Sequence, residues 1–534
     1  MFRRPWHFLA ALLCVATLDH RAQAQQDPFA PSLRWTHSAP ISDPWIPESA
    51  FFGSGDDVIW ASGNFGSPRL MLLATPGDVL GEVLHEDVSV NSSITVLSAT
   101  ARSGTGAVFS IAQYADPDSL HRRTEISRYD PLQNQTGTAL TPRWTREVGF
   151  VTNGAAKVVC DNNGRTVVSA VWNSATGEVH VDWISGFTGR LVRQLRLTMS
   201  SVNVLELSLN GRRVALTGGS DLYLLDTMTA TVVHHENLAS STNAVALAGD
   251  GKTLAYGGFG EMKVLSETNS FIQPVLTVTG NVNFLPTRAD LSEDGSTLAI
   301  GWWNFVTASE VNYEIVDVAT GLSLNNYPQA APPGGLQNFP QVVKLTRDGR
   351  RAAFGGWGNG GPDPEVLLVE RGVQAPLLSV DLPGSVRSLD LNSSGTRLLV
   401  GSKNVHANQF GTTGELRLYE TGERDLVQLA PALRNGNFEF AARRPGARAV
   451  MFMVGVQRPA PIQLPAYSGL LSLDRSLGFH LELRRADATG RADAAFAIPS
   501  RSLWGAEKLS VQALFRMGGG VRWLSGTTVT PLIF

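Results

Sequence analysis

The sequence predicts an all-β fold: a seven- or eight-bladed ring of repeated four-stranded units, followed by a small β-sandwich. Three observations predict it. A glycine-bearing turn recurs at intervals of 40 to 54 residues, apolar β-rich segments follow each copy, and the period stops after about Pro431. Apolar residues at 43%, with 53 glycines and 28 prolines, fit many short strands joined by tight turns.

Before the repeats, residues 1–24 read as a signal peptide. Arg3 and Arg4 form a positive start, Phe8 to Leu18 a short apolar stretch, and Ala22-Gln23-Ala24 a small-x-small cleavage site. The apolar stretch is shorter than the about 20 residues that span a bilayer. The expected product is exported to the periplasm, the cell surface or the medium, as a monomer without a transmembrane segment. A formal net charge of -3, with no run of five basic residues, argues against nucleic acid as a partner. Cleavage would leave Cys160 as the sole cysteine, closing the apolar run Val158-Val159-Cys160 where a small buried side chain belongs.

The clearest repeat runs from Ala156 to Leu197. Four extended segments are separated by turns at Asp161-Asn162-Asn163-Gly164, Ser174-Ala175-Thr176-Gly177 and Gly186-Phe187-Thr188-Gly189. Four strands joined by three tight turns form an antiparallel meander, one blade of a β-propeller. The first turn returns at Gly211, Gly251, Gly295, Gly349 and Gly395, with spacings from Gly164 of 47, 40, 44, 54 and 46 residues. That range matches propeller repeats. Weaker copies lie around Gly55-Asp56-Asp57 and Ser103-Gly104-Thr105-Gly106, which makes eight repeats, or seven if one of these is irregular. A lone blade leaves both faces uncovered, whereas a closed ring buries them and protects the edges. Leu33-Arg34-Trp35-Thr36 echoes Arg143-Trp144-Thr145, so an N-terminal strand near 33–37 is expected to complete the last blade.

The segment Ala289-Asp290-Leu291-Ser292-Glu293-Asp294-Gly295, continued by Ser296 to Ile300 and by Tyr313 to Gly321, resembles a WD40-type or YVTN-type propeller repeat. Segments 204–225 and 386–419 are similar. The Gly-His and Trp-Asp dipeptides of the strict WD40 pattern are absent. The resemblance implies a ring over 25–432, and it allows propeller enzymes with a site in the central funnel, either lactonase-like hydrolases or quinoprotein-like oxidoreductases. Residues 433–534 alternate apolar and polar positions, as in Val450-Phe452-Val454-Val456, which reads as the β-sandwich. This part is similar to small β-rich domains that end many secreted bacterial proteins.

No catalytic residues emerge: Gly-x-Ser-x-Gly, His-Glu-x-x-His, Cys-x-x-Cys and EF-hand patterns are missing. No cofactor or metal is expected. His234 and His235, adjacent on a strand, point to opposite faces, and Asp116-Pro117-Asp118-Ser119 reads as a solvated loop. The aromatic-glycine clusters are the candidate binding positions: Trp302, Trp303, Asn304 and Phe305, with Trp357 and Asn359. They follow the second strands of their repeats, where long connections, together with the link 325–340, enlarge one sector of one face. Tryptophan beside asparagine suits stacking plus hydrogen bonding to a sugar or peptide, although packing between blades also explains such a recurring feature. The expected function is a non-catalytic platform for a protein or polysaccharide partner. A funnel enzyme is the alternative, and the side chains along the ring axis separate the two.

Overall fold

The computed structural model describes residues 30–524 apart from short intervals, the longest being 85–92, 131–139 and 498–508. Residues 1–24, read above as a signal peptide, the Gly55-Asp56-Asp57 and Ser103-Gly104-Thr105 turns, Asn64-Phe65, Asp116 to Ser119, 331–335 and Ser393-Ser394 lie outside the described residues. The elements among the described residues are all strands, and they separate into two compact units, Leu33–Glu420 and Thr421–Phe534.

Among the described residues the first unit holds eight four-stranded sheets, seven of them antiparallel meanders in chain order. The first seven span 49–84, 93–151, 156–198, 204–237, 245–279, 284–329 and 340–380. The eighth takes three strands from 386–420, and its outermost strand is Ser32–Ser38 beside Gly414–Glu420. In the second sheet the outermost position belongs to Trp144–Val151, the segment that Leu33 to Thr36 echoes.

Each innermost strand lies against the innermost strand of the next sheet, and Ser49–Phe52 of the first sheet lies against Val386–Leu391 of the eighth. The fold is therefore an all-β, propeller-like repeat. Its apolar side chains collect between sheets, with one cluster at each of the eight joints. Cys160 sits in the cluster between the second and third sheets. Burying a valine, leucine or isoleucine contributes about 1.5–3 kcal/mol, and both faces of every sheet take part.

The recurring turns have a local cause. At the third residue before five of the six glycines, a short polar side chain accepts amide protons from across the turn; before Gly251 that position is Ala248, and Asp250 Oδ1 accepts Lys252 N–H at 2.9 Å instead. Ser292 Oγ accepts Thr297 N–H at 3.0 Å, Thr346 Oγ1 accepts Arg351 N–H at 3.0 Å, and Asn392 Oδ1 accepts Arg397 N–H at 3.0 Å. Gly349 follows at φ +64°, and a Cβ there would stand 2.6 Å from Thr297 Oγ1 of the preceding sheet. Only glycine meets both demands.

The turns are also bonded to one another. Asn162 N–H donates to Leu209 O at 3.0 Å, Asn210 N–H to Gly249 O at 3.1 Å, Asp250 N–H to Glu293 O at 3.2 Å and Glu293 N–H to Arg347 O at 2.8 Å. From the third to the seventh sheet, the repeated turns form a backbone-linked arc on one face.

The second unit contains a three-stranded sheet (Leu426–Ala430, Asn437–Arg443, Arg491–Ala497) and a five-stranded sheet centred on Ala447–Gln463 and Leu509–Met517. Phe440 and Phe496 of the former and Phe452 and Phe515 of the latter share one core. The strand Leu426–Ala430 pairs with Asn437–Arg443 in this unit, not with the repeats.

Candidate functional site

A four-strand meander puts its first and third turns on one face. Its second connection, and the link to the next sheet, open on the other. On that second face the connections 304–311, 356–366 and 403–414 are long, and they belong to the sixth, seventh and eighth sheets.

The six residues singled out in the sequence take different places there. Trp302 is buried in the joint between the fifth and sixth sheets, and its Nε1–H donates to Glu314 Oε2 at 3.0 Å. Trp303 is half-buried and donates to Ala308 O at 3.4 Å. Its ring meets Phe339 edge-on at 5.3 Å, and Phe339 packs against Trp357 at 5.2 Å. Trp357 Nε1–H donates to Gln341 Oε1 at 3.0 Å. Phe339, which the sequence reading did not single out, thus joins Trp303 and Trp357 into one aromatic run. The guanidinium of Arg288 lies 5.7 Å from its ring centre.

The two asparagines shape their own loops. Asn304 Oδ1 accepts the amides of Val306 and Thr307 at 3.0 and 3.2 Å, while its Nδ2–H donates to Glu310 at 2.7 Å. Asn359 is buried and accepts Gly361 N–H at 2.8 Å.

Phe305 alone of the six offers an exposed face, at 37% exposure, and it meets Phe259 of the fifth sheet edge-on at 5.9 Å. Phe259 (57% exposed), Val282 (80%) and Val306 (63%) surround it on the same connections. A Cβ on Gly260 would lie 3.6 Å from Val282 Cα, and Phe305 N–H donates to Asn283 O at 3.1 Å, so these links adjoin. Phe410, on the eighth sheet's long connection, is 95% exposed.

Beneath these loops, Glu365 is buried where the seventh and eighth sheets meet. Leu382 N–H donates to its Oε2 at 2.6 Å, and His406 Nδ1 stands 3.5 Å from its Oε1. Burial pushes its carboxyl up to about 7; the amide bond from Leu382 opposes this shift and the nearby Asp381 adds to it. Gly358 provides the clearance, since a Cβ there would collide with Oε1.

The ring axis holds a cavity of about 300 Å³ lined by inner-strand residues of all eight sheets. Lys157, Glu206, Asp290, Lys344 and Asp390 face it. Asp290 Oδ2 accepts Leu345 N–H at 2.7 Å and Asp390 Oδ2 accepts Phe52 N–H at 3.0 Å, so each carboxylate latches its strand to the next sheet. Near the turn-bearing face, Arg347 of the seventh sheet donates to Asn162 of the third across the axis at 2.7 Å.

His235 stacks on Tyr223 and bonds Asp221 at 3.0 Å, on the outermost strand of the fourth sheet. Among the described residues, no three histidine, cysteine or carboxylate side chains converge as a metal site. Among the described residues, too, no helix is long and apolar enough to cross a membrane. No family model matches the chain, and no curated protein matches it.

Proposed function

We propose that this chain is an exported, non-catalytic propeller of WD40-like or YVTN-like type, which holds a partner protein on the face bearing the long connections. The observation that carries the reading is the exposed apolar group Phe259, Val282, Phe305 and Val306 on that face. Exposed apolar side chains in one patch, rather than scattered singly, characterise interaction surfaces. Their chemistry favours an apolar protein segment over a sugar. Phenylalanine and valine offer no hydrogen bonds, while the indole N–H groups of Trp302, Trp303 and Trp357 are all engaged internally. Export rests on the charge, apolar stretch and cleavage pattern of residues 1–24. The axial carboxylates Asp290 and Asp390 have a structural role, which weakens the case for a funnel enzyme.

The test is capture from envelope and medium fractions with the mature chain, followed by the double substitution Phe259→Ser and Phe305→Ser. A partner recovered by the parent chain and lost by the folded variant supports the reading. Equal recovery by both, or none by either, overturns it.

A further inference from the structure

The five-stranded sheet of the second unit turns one face to the shared core, and its other face is apolar with a cationic margin. Val450 and Phe452 of Ala447–Gln463, with Val511, Ala513 and Phe515 of Leu509–Met517, belong to the core. Side chains alternate along a strand, so Ala449, Met451 and Met453 occupy the opposite face. Register fixes their neighbours. Met453 stands opposite Leu481 and Met451 opposite Leu483, both on the edge strand His480–Arg485, while Leu514 flanks Met451 on its other side. Leu481 and Leu483 are exposed and lie outside the core.

The next position along this face is cationic. Arg485 and Arg516 stand opposite Ala449 on the two neighbouring strands, and both are exposed. Strands run about 4.8 Å apart, which puts the two arginine positions about 10 Å from each other. Among the described residues neither guanidinium has a partner. The carboxylates nearby are committed: Glu482 to Arg484, Asp493 to Arg491 at 2.9 Å, and Asp487 to the amides of Thr489 and Arg491 at 2.8 and 3.0 Å. Thr421–Phe534 as a whole carries fourteen arginines and lysines against eight aspartates and glutamates, in a chain whose formal net charge is -3.

We propose that this face docks the protein on an anionic lipid surface, with Leu481 and Leu483 entering the apolar layer and Arg485 and Arg516 pairing with lipid phosphates. A membrane interface offers both chemistries side by side: hydrocarbon for the leucines, and phosphate for guanidiniums that bind it through two parallel hydrogen bonds. A protein strand added along His480–Arg485 is the competing occupant, since no described strand pairs with its outer edge. Such a strand would lie against Leu481, Leu483 and Arg485 but three strand spacings, about 14 Å, from Arg516. A lipid surface meets the whole face. The site lies within the second unit, so it stands or falls apart from the docking face of the ring.

The mature chain is sedimented with mixed vesicles of phosphatidylethanolamine and phosphatidylglycerol and, separately, with vesicles of phosphatidylcholine, at low ionic strength. Binding to the anionic vesicles and not to the neutral ones is expected. Arg485→Gln with Arg516→Gln weakens it by about tenfold or more. Leu481→Ser with Leu483→Ser weakens it as well. All four side chains are exposed, so the variants should keep the parent's fold, which circular dichroism checks. Phe259→Ser with Phe305→Ser leaves vesicle binding unchanged and so separates this face from that of the ring. Equal sedimentation with both kinds of vesicle overturns the proposal, as does sedimentation with neither, which is the outcome a protein strand on the edge would give. A folded arginine or leucine variant that binds as the parent does, or lost binding in the Phe259 and Phe305 variant, overturns it too.

Discussion

The two faces of the ring are built by different rules. On the turn-bearing face, consecutive turns repeat one local solution, with a short polar side chain, a glycine at positive φ and a backbone bond to the next turn. On the opposite face the connections differ in length and are held by side chains from separate sheets, such as Trp303 with Phe339 and Glu365 with His406. The first face closes the structure and leaves little to vary. The second carries the exposed apolar group and the buried titratable group, where binding and its control can be placed without disturbing the ring.

The largest test of this contrast lies within one short segment of the second face. Trp302 and Phe305 are three residues apart, yet Trp302 fills a joint between sheets and Phe305 faces solvent. Trp302→Ala is expected to cost about 3–5 kcal/mol, because it empties a packed joint and strands Glu314. Chemical denaturation measures it directly. A cost below about 1 kcal/mol would mean that the joint does not depend on the indole.

The next effect depends on pH. Glu365 has its folded-state pKa raised to about 7 from an ordinary 4.5. Between these values the folded chain holds a proton that the unfolded chain has released. The group therefore favours folding at low pH, and that contribution is lost as pH rises through about 7. The expected loss is on the order of 3 kcal/mol between pH 4.5 and pH 8. Glu365→Gln removes this part of the pH dependence, and unfolding midpoints across the range would show the flattening. A variant with the same slope as the parent would place the proton elsewhere.

The contrast also decides what the sequence can reveal. Turn chemistry is local: a glycine must stand where φ is positive, and a polar acceptor sits one or three residues before it, so the repeat is written into the chain at a readable period. The one-residue spacing of Ser292, Glu293, Asp294 and Gly295 already contains the turn seen at that position. Joints of the second face have no such period. Phe339 reaches Trp303 and Trp357 from a link between sheets, and Glu365 meets His406 over 41 residues, with nothing in either neighbourhood to mark the pairing. The aromatic-glycine clusters could be found in the sequence. Which of their rings would be open to solvent depended on packing between sheets.

A smaller effect probes the turn-bearing face. Gly349→Val forces a β-branched residue into φ +64° and drives its Cβ toward Thr297 of the neighbouring sheet. The strain should cost about 1–3 kcal/mol, measured by thermal unfolding. Gly372, at φ +79° with open space around it, supplies the control. Gly372→Val carries the backbone strain without the contact, so the difference between the two isolates the nesting of one sheet's turn on the next. Equal costs would reduce the arc of turns to a local preference of each hairpin.

The smallest expected change in stability belongs to Phe305→Ser. The ring is partly exposed and its main aromatic neighbour, Phe259, is more exposed still, so its removal should shift stability by less than about 0.5 kcal/mol. A surface residue that contributes so little to folding, yet keeps an apolar ring in water beside three other apolar side chains, is explained by what it contacts outside the chain. Denaturation and partner capture measured on the same variant separate the two roles. Unchanged stability with lost capture assigns the ring to docking. A loss of stability near that of Trp302→Ala would instead make Phe305 part of the joint and dissolve the distinction between the two residues.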